Sequence, residues 1–209
     1  MAHFLNGYRL AFSAFLSAAV WLGLMFIFSV PSSRAEGNLA AVSQIDGYAK
    51  LVFRNYEDCL HRARHLEESI RILLSSPSVV SLQNARTAWL NARVAYGQSE
   101  AFRFYGGPID YYDSARDVEG PEGRLNSWPV NEAYIDYVQG NSSAGIINDE
   151  SVELTKVSIV SRNQFEDDRD VSTGYHAIEF LLWGQDLSEA GPGARPASDY
   201  TPGTSTNDR

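Results

Sequence analysis

Cysteine is almost absent from this chain of 209 residues, whose only thiol is Cys59. No intrachain disulfide can form, even in an oxidising compartment, so the fold must be stabilised by packing. Cys59 itself is expected to be a small buried hydrophobic side chain rather than a reactive thiol.

Basic residues are also scarce. The chain has 17 lysines and arginines against 26 aspartates and glutamates, which gives a formal net charge of −9. This charge repels nucleic acids and anionic lipid surfaces, so we expect neither as a partner. Cations are the more natural small partners.

Charged residues are missing from residues 10 to 30, an apolar run that follows Arg9. Ser33 and Ala35 then place small side chains at positions −3 and −1 of a cleavage site. Residues 1–35 are therefore predicted to be a signal peptide that exports the chain to the periplasm or cell envelope. The alternative is an uncleaved anchor, because the run reaches the roughly 20 residues that span a bilayer. That anchor would be the chain's only contact with a membrane.

Proline is missing from residues 39 to 74, where side chains such as Phe53, Leu60 and Leu74 recur at three- and four-residue steps. This pattern predicts one long amphipathic helix that ends at residues 75 to 77. Ser78 is a suitable N-cap for a second helix that reaches about residue 104. The apolar stripe of that helix contains Leu82, Ala85, Trp89, Ala92 and Tyr96. Because a short turn joins the two helices, they are expected to be antiparallel. The sequence predicts an all-α, up-and-down helical bundle over residues 36–187.

Glycine and proline interrupt residues 105 to 130, which also contain five acidic residues. A connection of this length is usually functional or disordered, and its four aromatic residues favour a long, ordered acidic loop. Further helices are predicted from an Asn131 cap to residue 138 and over residues 151 to 167. Residues 188–209 are rich in glycine, proline, serine and threonine, so they are interpreted as a linker or disordered tail.

A histidine and a glutamate lie three residues apart in the apolar segment from Gly174 to Gly184. On a helix these two residues, His176 and Glu179, point the same way and could share one cation or one proton. Such a pair among large apolar side chains is either a satisfied structural hydrogen bond or a working site. Ser172 or Thr173 would cap this helix, and Gly184 would end it.

Charged side chains also continue the stripe of the second helix, where Arg93, Glu100 and Arg103 follow the apolar positions. They form either a mutually satisfied cluster or a carboxylate held at the mouth of a bundle pocket. His61 and His65 lie one turn apart on the first helix, where a solvated charged face explains them better than a metal site.

Four groups of residues occur in one order along the chain. They are Trp89-x3-Arg93-x2-Tyr96-x3-Glu100-x-Phe102-Arg103-Phe104, Gly107-Pro108-Ile109-Asp110, Trp128-Pro129 and Gly174-x-His176-x2-Glu179-x3-Leu182-Trp183-Gly184. In this combination, from about residue 40 onward, the chain resembles the imelysin-like family, and within it the iron-regulated protein A branch. The resemblance implies an exported envelope protein made of two helical bundles, with the Gly-x-His-x-x-Glu signature in the first. Members of the family are considerably longer, so the second bundle is expected to be missing here.

The resemblance implies two different functions, because the family was named for a peptidase activity while many members look like metal or iron acquisition proteins. The zinc peptidase motifs His-Glu-x-x-His and His-x-x-Glu-His are both absent from the sequence. One imidazole with several carboxylates suits a divalent or trivalent transition metal such as iron.

The leading hypothesis is a binding protein for a metal ion or a metal-bearing ligand, working with an envelope partner of an iron-uptake system. Its predicted metal ligands are His176, Glu179, Glu100 and Asp110. The side chains of Arg103, Tyr96 and Arg93, and the backbone at Gly174, would hold these ligands in place. Two alternatives stay open: a metallopeptidase that uses His176 and Glu179, and a purely structural pair in a bundle that binds a protein partner.

Overall fold

The computed structural model describes residues 33–203, with side chains from residue 39 onward. The described residues divide into two units, one up to residue 50 and one from residue 51 onward. The predicted signal peptide falls almost entirely outside the described residues. Among the helices that are described, none combines the length and the apolar character needed to cross a membrane.

The described chain is built from helices, so the predicted all-α helical bundle is confirmed. The α-helices are α1 Ser33–Ser75, α2 Val79–Gln98, α3 Glu122–Leu125, α4 Glu132–Ile135, α5 Lys156–Ser161 and α6 Gly174–Trp183. Two 3-10 turns, Ser99–Phe102 and Ala197–Tyr200, accompany them. The strands β1 Tyr112–Asp113 and β2 Val118–Glu119 pair antiparallel, with Tyr112 opposite Glu119 and Asp113 opposite Val118.

The turn between α1 and α2 follows the prediction closely. Helix α1 ends at Ser75, and Ser78 forms a capping box with Ser81, in which each hydroxyl accepts the other residue's backbone N–H at 3.0 Å. This arrangement satisfies two backbone donors that the start of a helix otherwise leaves unpaired. Helix α2 is shorter than predicted, because the chain tightens into the 3-10 turn after Gln98 and then adopts a positive φ of 69° at Phe104.

The main core lies between α2, α6 and the second half of α1. All five residues of the predicted α2 stripe are buried, and Tyr175 and Leu182 of α6 pack against them. A smaller apolar cluster joins Ile135 of α4 to Ala177 and Phe180 of α6. Helix α6 therefore packs against both clusters. These contacts determine which face of the helix is left uncovered.

The prediction of which side of α1 faces the core is wrong at most of its positions, although Ile70 does pack against the core. Phe53, Leu60 and Leu74 are exposed, whereas Leu66 and Leu73 enter the core. The buried face also contains polar residues, which a search for apolar periodicity does not count. One of them, Asn55, donates its side-chain amide to the carbonyl of Ala95 at 3.2 Å and so joins α1 to α2.

The segment between α4 and α6 contains less helix than predicted. Only Lys156–Ser161 is helical within residues 151 to 167, and it is capped by the Thr155 hydroxyl. Asn131 precedes α4, but its side-chain oxygen does not cap the helix, and its amide NH2 donates to Asp170 at 3.0 Å. That a single ordered acidic loop fills residues 105 to 130 stays a prediction.

The first part of the tail behaves differently from a disordered linker. Residues 197–200 form a 3-10 turn, Ala197 and Tyr200 pack against the main core, and Arg195 is buried. Two strong polar anchors compensate for the low apolar content of this segment. The Tyr200 hydroxyl donates to the Leu181 carbonyl, and the Arg195 guanidinium pairs with Asp136, both at 2.5 Å.

Candidate metal-binding site

Helix α6 begins at Gly174 because no other residue fits there. Its φ is +86°, and an added Cβ would lie 2.6 Å from the backbone oxygen of Leu125 and 2.7 Å from that of Arg124. L-residues rarely adopt this φ, so glycine allows the chain to turn tightly against α3 and enter the helix. Gly174 thereby sets the position of His176, which lies in the first turn.

The ends of α6 agree only in part with the predicted caps. Thr173 is the N-cap residue, but its hydroxyl donates to the Arg124 carbonyl at 3.0 Å instead of capping the helix. At the other end, Gly184 takes a φ of +71° and donates its N–H to the Phe180 carbonyl at 2.7 Å. The predicted end of the helix is therefore confirmed.

The imidazole of His176 and the carboxylate of Glu179 meet on one face of α6. Nδ1 of His176 lies 2.8 Å from Oε2 of Glu179. The His176 side chain is 18% exposed and that of Glu179 is 43% exposed, so the pair lies at the border between core and solvent. Within the part of the chain that the structure describes, neither side chain makes another hydrogen bond.

The other two predicted ligands have different partners. Glu100 pairs with Arg103 at 3.0 Å, and Arg103 also contacts Glu122 at 2.9 Å. Asp110 accepts the backbone N–H groups of Phe104 and Gly107, so it stabilises its own loop. The predicted set of four ligands is not brought together. Within residues 33–203, no group of three or more histidine, cysteine, aspartate or glutamate side chains is arranged to hold a metal ion.

The side chains predicted to hold the carboxylates form a separate layer beneath α6. Arg93 stacks over the rings of Trp89, Tyr96 and Tyr175, with 5.3 to 6.0 Å from its Cζ to the ring centres, and donates to Asn126 at 2.5 Å. Arg103 lies 5.3 Å from the ring centre of Tyr96. Burial raises the pKa of Tyr96 to about 12. Arg103 connects this layer to the predicted ligand Glu100. The contacts of the layer do not extend to the His176–Glu179 pair.

A cavity of about 340 Å³ opens beside Glu179. Its lining includes two further carboxylates and three aromatic rings, from Glu132, Asp186, Trp89, Phe180 and Trp183. Glu132 and Asp186 were not among the predicted site residues, because neither has a recognisable spacing from His176. Glu132 accepts a hydrogen bond from Gln185 at 2.9 Å, which joins α4 to the end of α6.

Comparison with known proteins identifies the chain's relatives. The family model described as Imelysin matches residues 52–207. The chain belongs to the imelysin family. The resemblance inferred from the four residue groups is thus confirmed.

This imelysin is also similar to the Iron-regulated protein A of Synechococcus elongatus, with 29% identity over 167 residues. The alignment covers 79% of this chain but 38% of the relative. The chain therefore spans well under half of the length of that relative. Gly174, His176 and Glu179 all lie inside the range that the family model matches.

Proposed function

We propose that this imelysin is an exported protein of the periplasm or cell envelope that serves iron acquisition by binding a metal-bearing ligand through His176. Two findings support an iron-related role: membership of the imelysin family and similarity to a protein named for its regulation by iron. The proposed export rests on the apolar N-terminal run and the cleavage pattern at residues 33 to 35.

The observation that carries the proposal is the contact of Glu179 with one particular nitrogen of His176. In metal sites, a ligating histidine almost always donates its second ring N–H to a carboxylate or carbonyl, which fixes the tautomer and orients the ring. Here Glu179 engages Nδ1 at 2.8 Å. This leaves Nε2 as the atom that would bind the metal, and it makes Glu179 the residue that orients the ring.

The donor set also indicates the form in which the metal arrives. One imidazole nitrogen, with or without one carboxylate oxygen, occupies one or two positions of an ion that takes four to six ligands. A chelate that brings most of its own ligands needs only such a small contribution from the protein. We therefore favour a chelated transition metal over a bare ion as the ligand of this chain.

Thermal unfolding tests this proposal, with ferric nitrilotriacetate as the probe. A ligand that binds only the folded state raises stability by about 2.7 kcal/mol at a hundredfold excess over its dissociation constant. We expect the melting temperature to rise with probe concentration, and nitrilotriacetate without iron to have no effect. Protons compete for the imidazole nitrogen, so the shift should shrink as the pH falls.

The variant His176→Ala should abolish the shift. His65→Ala is the matched control, because His65 is exposed on α1 and distant in sequence from the pair. Loss of the shift in the control, or an unchanged shift in His176→Ala, contradicts the proposal. Absence of any shift in the unmodified chain favours a structural pair instead.

A further inference from the structure

A second cleft among the described residues is lined by neither His176 nor Glu179. It has a volume of about 690 Å³ and lies between the loop that follows α2 and the residues around α3. This volume falls in the range of small-molecule sites, roughly 300 to 1,000 Å³. Its aromatic lining comes from Phe104, Tyr111, Tyr112 and Trp128.

The aromatic rings of this cleft are unusually exposed. Phe104, Trp128 and Tyr112 have 86%, 74% and 59% of their surfaces accessible. Large exposed apolar groups that lie together and are bordered by polar residues mark binding surfaces. The faces of such rings carry negative electrostatic potential and attract cations.

The exposed ring of Phe104 is held in place by an unfavourable backbone conformation. Phe104 has a φ of +69°, which is rare for a residue with a bulky side chain. The carboxylate of Asp110 accepts the Phe104 N–H and, at 3.0 Å, the Gly107 N–H. Strained backbone persists where the surroundings enforce it, and it is concentrated at functional sites. The ring is therefore preorganised at the edge of the cleft.

The charge of the lining also favours a cation. Three carboxylates, from Asp110, Glu119 and Glu122, and one guanidinium, that of Arg103, line the cleft, so its formal charge is −2. The Arg103 side chain is only 7% exposed and already pairs with Glu100 and Glu122. An anion would meet repulsion here without a free basic group to bind it.

We propose that this cleft binds an organic cation, an ammonium or methylated ammonium group carried on a small apolar body. The positive group lies against the rings of Tyr112 and Trp128, with the Glu119 carboxylate opposite Tyr112 in the strand pair. The Phe104 ring borders the cleft and already has the Arg103 guanidinium 6.0 Å from its centre. The proposal is independent of metal binding at His176. We commit to a small molecule rather than a protein segment, because the volume of the cleft lies in the range of small-molecule sites and the rings and carboxylates all line this one cleft.

Choline and its neutral isostere 3,3-dimethylbutanol separate cation recognition from simple apolar binding. We expect titration calorimetry of the full chain to detect choline, and the neutral isostere to bind at least about tenfold more weakly. Choline affinity should also fall as salt is added, since exposed charges are screened. Equal affinity for the two compounds, or no binding of choline, overturns the proposal. Binding of a lysine-rich peptide without choline binding overturns it in favour of a protein partner.

Three variants locate the site. Trp128→Leu and Tyr112→Leu should each weaken choline binding about fivefold or more, and Glu119→Gln should weaken it less. The two aromatic variants guard against a folding defect in either one. Phe165→Leu is the control, because Phe165 is 76% exposed but does not line the cleft. Unchanged affinity in both aromatic variants contradicts this location. The response to ferric nitrilotriacetate should stay unchanged in all of them, which keeps failure here distinct from failure at His176.

Discussion

Two acid–base pairs lie at helix α6, one within the helix and one packed against its Phe180 ring, and they differ in how far protein encloses them. Asp136 and Arg195 meet at 2.5 Å with side chains only 6% and 5% exposed. His176 and Glu179 meet at 2.8 Å with side chains 18% and 43% exposed. The first pair is enclosed by protein, and the second borders solvent.

The surroundings of the two pairs explain the difference. Arg195 lies against the rings of Tyr137 and Phe180, and its own carbonyl accepts a hydrogen bond from Arg86 at 2.9 Å. The same Arg86 donates to the Leu182 carbonyl, so one arginine joins α2, the end of α6 and the tail. The buried pair thus fastens the tail to the bundle. The partly exposed pair retains a ring nitrogen for a ligand, which makes it the candidate for function.

The largest effect is expected at the buried pair. Arg195→Met leaves the Asp136 carboxylate buried without its partner, which should reduce the free energy of unfolding by about 3–5 kcal/mol. Chemical denaturation measures the loss. The double variant Asp136→Leu, Arg195→Met should recover part of it, since no charge is then left unpaired, although the Tyr137 N–H and the Asn148 amide lose an acceptor. The exposed pair Asp167–Arg169 supplies the control, and Arg169→Met there should leave the free energy of unfolding almost unchanged. A similar cost for Arg195→Met would remove the distinction between the two pairs.

The variant Gly174→Ala tests whether the start of helix α6 requires glycine. Gly174→Ala forces a side chain into a positive φ and into contact with the Leu125 carbonyl. We expect a loss of about 1–3 kcal/mol of stability, together with weaker binding of the metal probe because His176 is displaced. Gly97→Ala is the control, since a Cβ there meets nothing within 4 Å and alanine favours the helix. Equal stability of the two variants would show that Gly174 is not required by its backbone.

Alkaline pH should weaken the region around the buried pair. Burial, as the largest cause, raises the pKa of Tyr200 and of Tyr137 to about 12, and for Tyr137 the hydrogen bond to Asp199 adds to the effect. The unfolded chain releases these protons near pH 10, before the folded chain does. This contribution is therefore complete below pH 10 and is lost as the pH rises toward 12. Urea denaturation across this range should show the decline, and Tyr200→Phe should flatten it. A decline of the same slope in that variant would assign it to other groups.

The smallest effect on stability is expected at the His176–Glu179 pair. A double-mutant cycle of His176→Ala and Glu179→Gln should give a coupling energy of about 0.2–1 kcal/mol, as for other solvent-bordering pairs. The same two substitutions should strongly affect binding of the metal probe. A coupling of several kcal/mol would instead identify the pair as a structural element like Asp136–Arg195.

Local chemistry made much of the fold predictable. The break at Ser75, the cap at Ser78 and the end of α6 at Gly184 follow from residues with strong conformational preferences. The α2 stripe followed from periodicity. The buried face of α1 did not, because Asn55 and Ser69 occupy core positions that apolar periodicity cannot identify.

Contacts at the candidate site were harder to predict when the two residues lie further apart in the sequence. His176 and Glu179 meet because helical geometry brings positions i and i+3 together. The grouping of Glu100 and Asp110 with them required knowledge of tertiary contacts, and each has a nearer partner. The Asp136–Arg195 pair joins residues 59 apart in the sequence, and nothing in the composition of the tail indicated it.

In the proposed function, Nε2 of His176 provides the metal ligand while Glu179 orients the ring. X-ray absorption at the iron edge of the chain mixed with ferric nitrilotriacetate tests it most directly, because imidazole coordination has a distinctive scattering pattern. We predict an imidazole contribution in the unmodified chain that disappears in His176→Ala, and a Glu179→Gln variant that keeps it with affinity reduced about 10- to 100-fold. An imidazole contribution that persists in His176→Ala, or that is absent from the unmodified chain, would contradict the claim.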